Sequence, residues 1–339
     1  MATAALSDPR SEDALKRRSR MARRPSHKSI ELTGRDLAIF RLLDRYRYLR
    51  STHLHALAGG KSAKRFAERL GHLYHEGGYV DRPAQQWQTI NARYMPAVYG
   101  LGAAGERALA ERGVAAAASP LLRKGRTGEA RQYHHELMVC DIVSSIEIGV
   151  RADPSLRFIP WPEILAKAPE ATRRLERPFA LPVSVSYTCP RTKEAQRCDR
   201  PLVPDAVFGI DYARGGAKAY RFFALEADRN SEPVVRSNLH QTSYLRKILQ
   251  YREAAAQAAY RTHWGLPNLL VLTVTTNRRH MANMMQLVRE QTDGRGSTSL
   301  LFKTMPSLAS LELAPLPTPN MITEPWERAG HEPFCIDRP

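Results

Sequence analysis

The chain has 339 residues, 43% of them hydrophobic and 25% charged, which suits two globular domains and excludes a disordered or low-complexity chain. Lys and Arg total 51 against 34 Asp and Glu, so the net charge is +17 and the pI is near 10.0. That balance favours a polyanionic partner, nucleic acid first and an anionic membrane surface second. No apolar run approaches the ~20 residues of a membrane span, and no signal-like apolar segment opens the chain, so no membrane span and a cytoplasmic protein are expected.

Residues 1–30 read as a disordered basic arm. Lys16, Arg17, Arg18, Arg20, Arg23, Arg24 and Lys28 carry positive charge, with no acid from Ala14 to Ser29. Such density opposes burial and leaves an arm for phosphates or a solvated tail. Residues 31–113 read as a compact domain. Thr33 caps a helix with Leu37, Phe40 and Leu43 at helical spacing. A short helix follows Ser51 and Thr52, and Gly59-Gly60 turns the chain. Ser62 then caps a longer helix to Glu76, with Phe66, Leu70 and Leu73 at i, i+4 and i+7. Tyr79-Val80 and Tyr94–Tyr99 read as hairpin strands around a polar tip, Gln85–Arg93, and a last helix spans Gly102 to about Arg112. Three helices, a hairpin and a closing helix make the order of a winged helix-turn-helix.

The second helix of such a motif enters the major groove. Its exposed candidates are Lys61, Ser62, Lys64, Arg65 and Arg69, with His72 beyond them. Arg suits the guanine edge, and Lys a phosphate. Arg82 and Arg93 on the wing add donors for backbone or minor groove. The competing reading is an ordinary solvated helix face.

Residues 114–130 read as a linker, and 131–312 as a second, α/β domain. A helix spans Tyr133 to about Val150. The Pro-rich stretch 151–200 supports no element assignment. Strands Ala206–Ile210 and Tyr220–Ala227, a helix from about Val234 to Tyr260, a buried strand Leu269–Thr275 and a helix Arg279–Glu290 follow. Residues 313–339, with Pro315, Pro317, Pro319 and Pro325, read as a tail draped on the surface. The four cysteines, Cys140, Cys189, Cys198 and Cys335, form no CxxC pair; Cys189 and Cys198 flank a polar loop as a possible pair or as idle thiols.

Asp205 precedes one strand, and Glu226 and Asp228 close the next on one face. Three carboxylates at strand ends would suit Mg²⁺ or Mn²⁺, which would activate a water and offset phosphodiester charge. The Glu-x-Lys pattern of many such sites is Glu-x-Asp here, so Lys247 is the candidate replacement, from a helix face shared by Gln241, Tyr244 and Tyr251. An ion pair that only braces the fold is the plain alternative. His135 and Glu136 offer a further metal or general-base pair, although His134-His135 suits a structural or exposed role better. No P-loop, G-x-S-x-G or HExxH motif is present.

The layout resembles the replication-relaxation family of plasmid and mobile-element proteins, related to MobC-type relaxases. The resemblance rests on the winged helix from Leu32 to Gly113, HHELMVCDI from His134, PDAVF from Pro204, LEADRNSE from Leu225, TSYLRKILQYRE from Thr242 and LLVLTVTTNRR from Leu269. It implies a winged helix joined to a PD-(D/E)xK, restriction-endonuclease-like core. It further implies a metal-dependent nickase of double-stranded DNA, with Asp205, Glu226 and Asp228 holding the metal and Lys247 assisting. The Glu-x-Asp departure leaves open a DNA-binding regulator or replication accessory factor that keeps the scaffold without cleaving. Other mobilisation or replication proteins would be its further partners.

Overall fold

The computed structural model describes residues 22–88, 95–114, 130–189, 193–212, 219–230, 232–317 and 320–338. It is a mixed α/β protein with two compact units. The first holds the described residues up to 114, the start of one helix through Asp141, and Leu311–Pro317; the second holds Ile142–Ser310 and the residues after 317.

In the first unit, α1 (Gly34–Tyr46) starts on a reciprocal cap. The Thr33 hydroxyl accepts from the Asp36 N–H at 3.3 Å, and Asp36 Oδ2 accepts from the Thr33 N–H at 2.7 Å. Then come β1 (Leu49–Arg50), α2 (Ser51–Ala58) and α3 (Ala63–His75). Gly59, at φ 74°, takes the left-handed turn between α2 and α3 without a Cβ penalty. Ser62 caps α3 by accepting from the Arg65 N–H. β2 (Val80–Asp81), β3 (Val98–Leu101) and α4 (Ala103–Ala110) follow, and β1, β3 and β2 form an antiparallel sheet in that order. Ile39, Phe40, Leu54, Phe66, Leu70, Leu73 and Val80 make the core. At Gly105 of α4 a Cβ would stand 2.3 Å from the Tyr79 carbonyl oxygen, so only glycine lets α4 approach the chain there.

The helix α5 (Ala130–Ala152) belongs to the first unit as far as Asp141 and to the second beyond it. Its first half is held by charge: Arg50 Nε lies 2.9 Å from Asp141 Oδ2 with both side chains buried, and Arg47 Nη1 lies 2.9 Å from Glu136 Oε1. Leu137 and Tyr133 pack with Val98 and Leu311.

The second unit is built on a seven-stranded sheet. After β4 (Leu156–Ile159) come α6 (Trp161–Lys167), α7 (Glu170–Arg173) and a separate hairpin, β5 (Val185–Thr188) with β6 (Ala195–Cys198). Then follow β7 (Ala206–Tyr212), β8 (Ala219–Asp228), α8 (Tyr244–Ala256), α9 (Ala259–Trp264), β9 (Leu270–Thr275), α10 (Arg278–Glu290) and β10 (Leu300–Thr304). The chain ends in α11 (Asn320–Thr323), β11 (Trp326–Arg328) and β12 (His331–Phe334). The sheet order is β12-β11-β10-β9-β8-β7-β4. β4, β7 and β8 are antiparallel neighbours, whereas β8, β9 and β10 run parallel and need helical crossovers, α8–α9 and α10. The apolar, β-branched run of β9 is buried almost throughout, as a central parallel strand requires.

Several expected elements change. The long helix expected from Val234 to Tyr260 is α8 and α9, separated at Ala258 with φ 50°. Residues 232–243 before it are not helical, because helix α8 starts only where Ser243 accepts from the Arg246 N–H. The expected surface tail instead contributes β11 and β12, with Trp326 and Ile336 fully buried and the Tyr212 hydroxyl donating to the Ile336 carbonyl at 2.7 Å. From Arg23 the basic arm is no free tail either. Arg23 pairs with Asp81 and lies over the Tyr74 ring, and the Ser26 N–H donates to Glu76. Cys140, Cys189, Cys198 and Cys335 are free thiols, so Cys189 and Cys198 do not pair. No helix among the described residues is long and apolar enough to cross a membrane.

Candidate functional site

Two groups of residues carry chemistry, one in each unit. In the first, α3 buries Phe66, Leu70, Leu73 and Tyr74, which leaves Lys61, Lys64 and Arg65 exposed around its N-terminus. No described acid pairs with these three side chains. Ser62 among them is occupied as the cap, and Glu68 and His72 continue the exposed stripe one and two turns on.

Two other expected contacts are turned inward. Arg69 donates twice to Asp36, at 3.0 and 2.6 Å, and once to the Glu31 carbonyl at 2.7 Å. It locks α3 to the cap of α1 and is not free for a ligand. Arg82 lies over the rings of Tyr74 and Tyr99, 4.3 and 5.2 Å from their centroids, and donates to the Tyr99 hydroxyl. Arg93 falls outside the described residues. Asp36 is 1% exposed, and burial would raise its pKa, but the hydrogen bonds from Arg69 and Thr33 outweigh this and hold the carboxyl below its ordinary value.

In the second unit the antiparallel register of β7 on β8 pairs Ala206 with Leu225, which brings Asp205 to the end of β8. Asp205 Oδ2 accepts from the Ala227 N–H at 2.8 Å. Glu226 is 2% exposed. Its Oε1 accepts from the Tyr251 hydroxyl at 2.5 Å, and its Oε2 lies 2.8 Å from Lys247 Nζ. Lys247 also reaches Glu232 Oε2 at 3.1 Å. Asp228 Oδ2 lies 2.7 Å from His280 Nε2 on α10, and its Oδ1 accepts from the Glu232 N–H at 3.3 Å. The Tyr244 hydroxyl meets Thr273 Oγ1 at 3.1 Å.

The expected face of Tyr244, Lys247 and Tyr251 therefore does cover the strand ends. Gln241 lies outside the helix and pairs with Arg236 instead. Glu232 and His280 were not singled out by the sequence. The signal for His280 was the Asn277 cap, which places it in the first turn of α10, directly after the strand end Thr275 that pairs with Asp228. His135 and Glu136 lie elsewhere, in the first unit, where Glu136 pairs with Arg47.

Burial pushes the Glu226 carboxyl up to about 7; Lys247 pulls it down and Asp205 adds to the push. Burial also works to strip the Lys247 ammonium of its proton, but Glu226, Asp205 and Glu232 outweigh it and hold the group well above its ordinary value. A magnesium ion asks for about six oxygen ligands in octahedral array. Here Glu226 Oε1, both oxygens of Asp228 and one of Asp205 are already hydrogen-bonded within the chain. Glu226 Oε2, which has no hydrogen-bond partner among the described residues, is in close ion contact with Lys247. Among the described residues no group of three His, Cys, Asp or Glu side chains is arranged to hold a metal ion. As arranged, the three carboxylates do not fit the expected cation.

A mixed α/β protein that presents cations without an acidic partner among the described residues in one unit, and holds a buried carboxylate cluster in the other, is the class these observations define. The family model for replication-relaxation proteins matches residues 40–269, and the chain belongs to that family. No curated protein and no solved structure matches it. Family membership points to a role in replication or mobilisation of genetic elements.

Proposed function

We propose that this chain is a duplex-DNA-binding protein of plasmid or mobile-element replication or mobilisation, with the first unit acting as a winged helix. The observation that carries this reading is the split face of α3. Its apolar stripe is spent on the core, and Lys61, Lys64 and Arg65 stand exposed at the helix start. That end of a recognition helix contacts base edges in the major groove, and the chain's +17 charge supplies attraction to phosphate.

Two readings compete for the second unit, a metal-dependent nickase on a PD-(D/E)xK-like core and a DNA-binding accessory factor that keeps such a scaffold. The succession of α5, three antiparallel sheet neighbours, β4, β7 and β8, and the α8–α9 crossover to the parallel β9 supports the scaffold in both, with α6, α7 and the β5–β6 hairpin inserted between β4 and β7. The internal pairing of Glu226 with Lys247 and of Asp228 with His280 favours the accessory factor. Incubation with supercoiled plasmid, with and without Mg²⁺ or Mn²⁺, separates them. The accessory reading expects a retarded plasmid with no nicked product. Nicking that requires the metal and is lost in Glu226→Gln would replace it with the nickase. Absence of duplex binding at low salt would overturn both.

A further inference from the structure

We infer that Lys247 is the resident cation of the acidic cluster, seated among Asp205, Glu226 and Glu232 in the place a divalent metal would take. The inference rests on the accessory reading of the second unit and explains it chemically. A cluster of carboxylates at strand ends needs positive charge to stay folded, because buried like charges repel strongly and are poorly solvated. A metal ion is one solution. The ammonium of Lys247 is another: it lies 2.8 Å from Glu226 and 3.1 Å from Glu232, with its side chain only 15% exposed.

The surroundings fix that ammonium in place. Lys247 lies in the first turns of α8, one turn beyond the Ser243 cap. On either side of it along the helix, Tyr244 bonds Thr273 and Tyr251 bonds Glu226, so α8 is pinned to β9 and β8 at two further points. Glu232 is pinned twice, by Lys247 through its carboxylate and by Asp228 through its backbone N–H. The last carboxylate, Asp228, is taken by His280. A divalent ion entering the cluster must therefore displace Lys247 and leave an ammonium in a site with little water. Of the three carboxylates expected to hold a metal, Lys247 pairs directly with Glu226, while Asp205 is tied to the Ala227 N–H and Asp228 to His280.

The test follows thermal unfolding of the full chain with added MnCl₂, with Mn²⁺ binding measured in parallel by calorimetry. The wild-type chain is expected to show no Mn²⁺-dependent rise in Tm and no binding heat. Lys247→Met keeps most of the unbranched stem but removes the ammonium and so frees the carboxylates. It is expected to gain Mn²⁺ binding and a rise of a few degrees, and both are lost again in Lys247→Met with Glu226→Gln. A wild-type rise that Glu226→Gln removes overturns the inference. So does a folded Lys247→Met chain that ignores Mn²⁺. If Lys247→Met does not fold, Lys247→Gln replaces it, and the wild-type titration still decides. Duplex binding is followed in the same samples by gel shift. Its loss would sink the proposed function while leaving the metal result to be judged alone.

Discussion

The N-terminal end of α3 and the C-terminal end of β8 are both rich in charge, yet they solve opposite problems. Around α3, Lys61, Lys64 and Arg65 stand in solvent without an acidic partner among the described residues. At β8, Glu226 and Asp228 are buried and each oxygen is spoken for by a neighbour. Exposed charge keeps its hydration and costs the fold little, so it is available to a ligand. Buried charge survives only with close partners, so it is committed to the fold. Arg69 shows that the boundary runs within one helix: four residues beyond Arg65, it is tied into the Asp36 cap.

The largest effect on stability belongs to the buried cluster. Glu226→Ala removes the acceptor of the Tyr251 hydroxyl and the nearer partner of Lys247, and should cost about 3–5 kcal/mol in urea unfolding. A loss under a third of that would mean that Glu232 alone suffices for Lys247. Arg69→Ala comes next, at about 1–3 kcal/mol, because it leaves the buried Asp36 carboxylate with fewer donors. Its pH dependence has a definite sign. The folded state depresses the Asp36 pKa, so the Arg69 contribution is complete above the ordinary Asp value and fades as pH falls through the lowered one. Unfolding curves of wild type and Arg69→Ala should therefore converge in acid; a constant gap would break the assignment. Smallest is Lys64→Ala with Arg65→Ala, which should change stability by no more than about 0.5 kcal/mol. A large loss there would show that these side chains serve the fold.

What the sequence disclosed follows the range of the forces involved. The caps at Thr33 and Ser62, the apolar stripe of α3 and the β-branched run of β9 are local patterns, and each marks its element to within a few residues. The gathering of Asp205, Glu226 and Lys247 was legible too, since strand alternation and helical spacing fix which side chains share a face. The partners of Arg69 and Arg82 were not, because they depend on how α3 packs against α1 and β3. The C-terminal strands were hidden by composition. Four prolines precede or adjoin them, and Pro333 lies within β12, where an edge strand tolerates the missing N–H. Their partner, β10, follows a parallel crossover with little local signature of its own.

The contrast between the two ends is tested most directly by the salt dependence of duplex binding, measured for three chains: wild type, Lys64→Ala with Arg65→Ala, and Lys247→Met. Each phosphate contact contributes a slope of about −0.9 to the plot of log affinity against log salt. The double variant should bind more weakly with a slope shallower by about 1–2, while Lys247→Met keeps the wild-type slope. An unchanged slope in the double variant, or a shallower one in Lys247→Met, would contradict the division of charge described above.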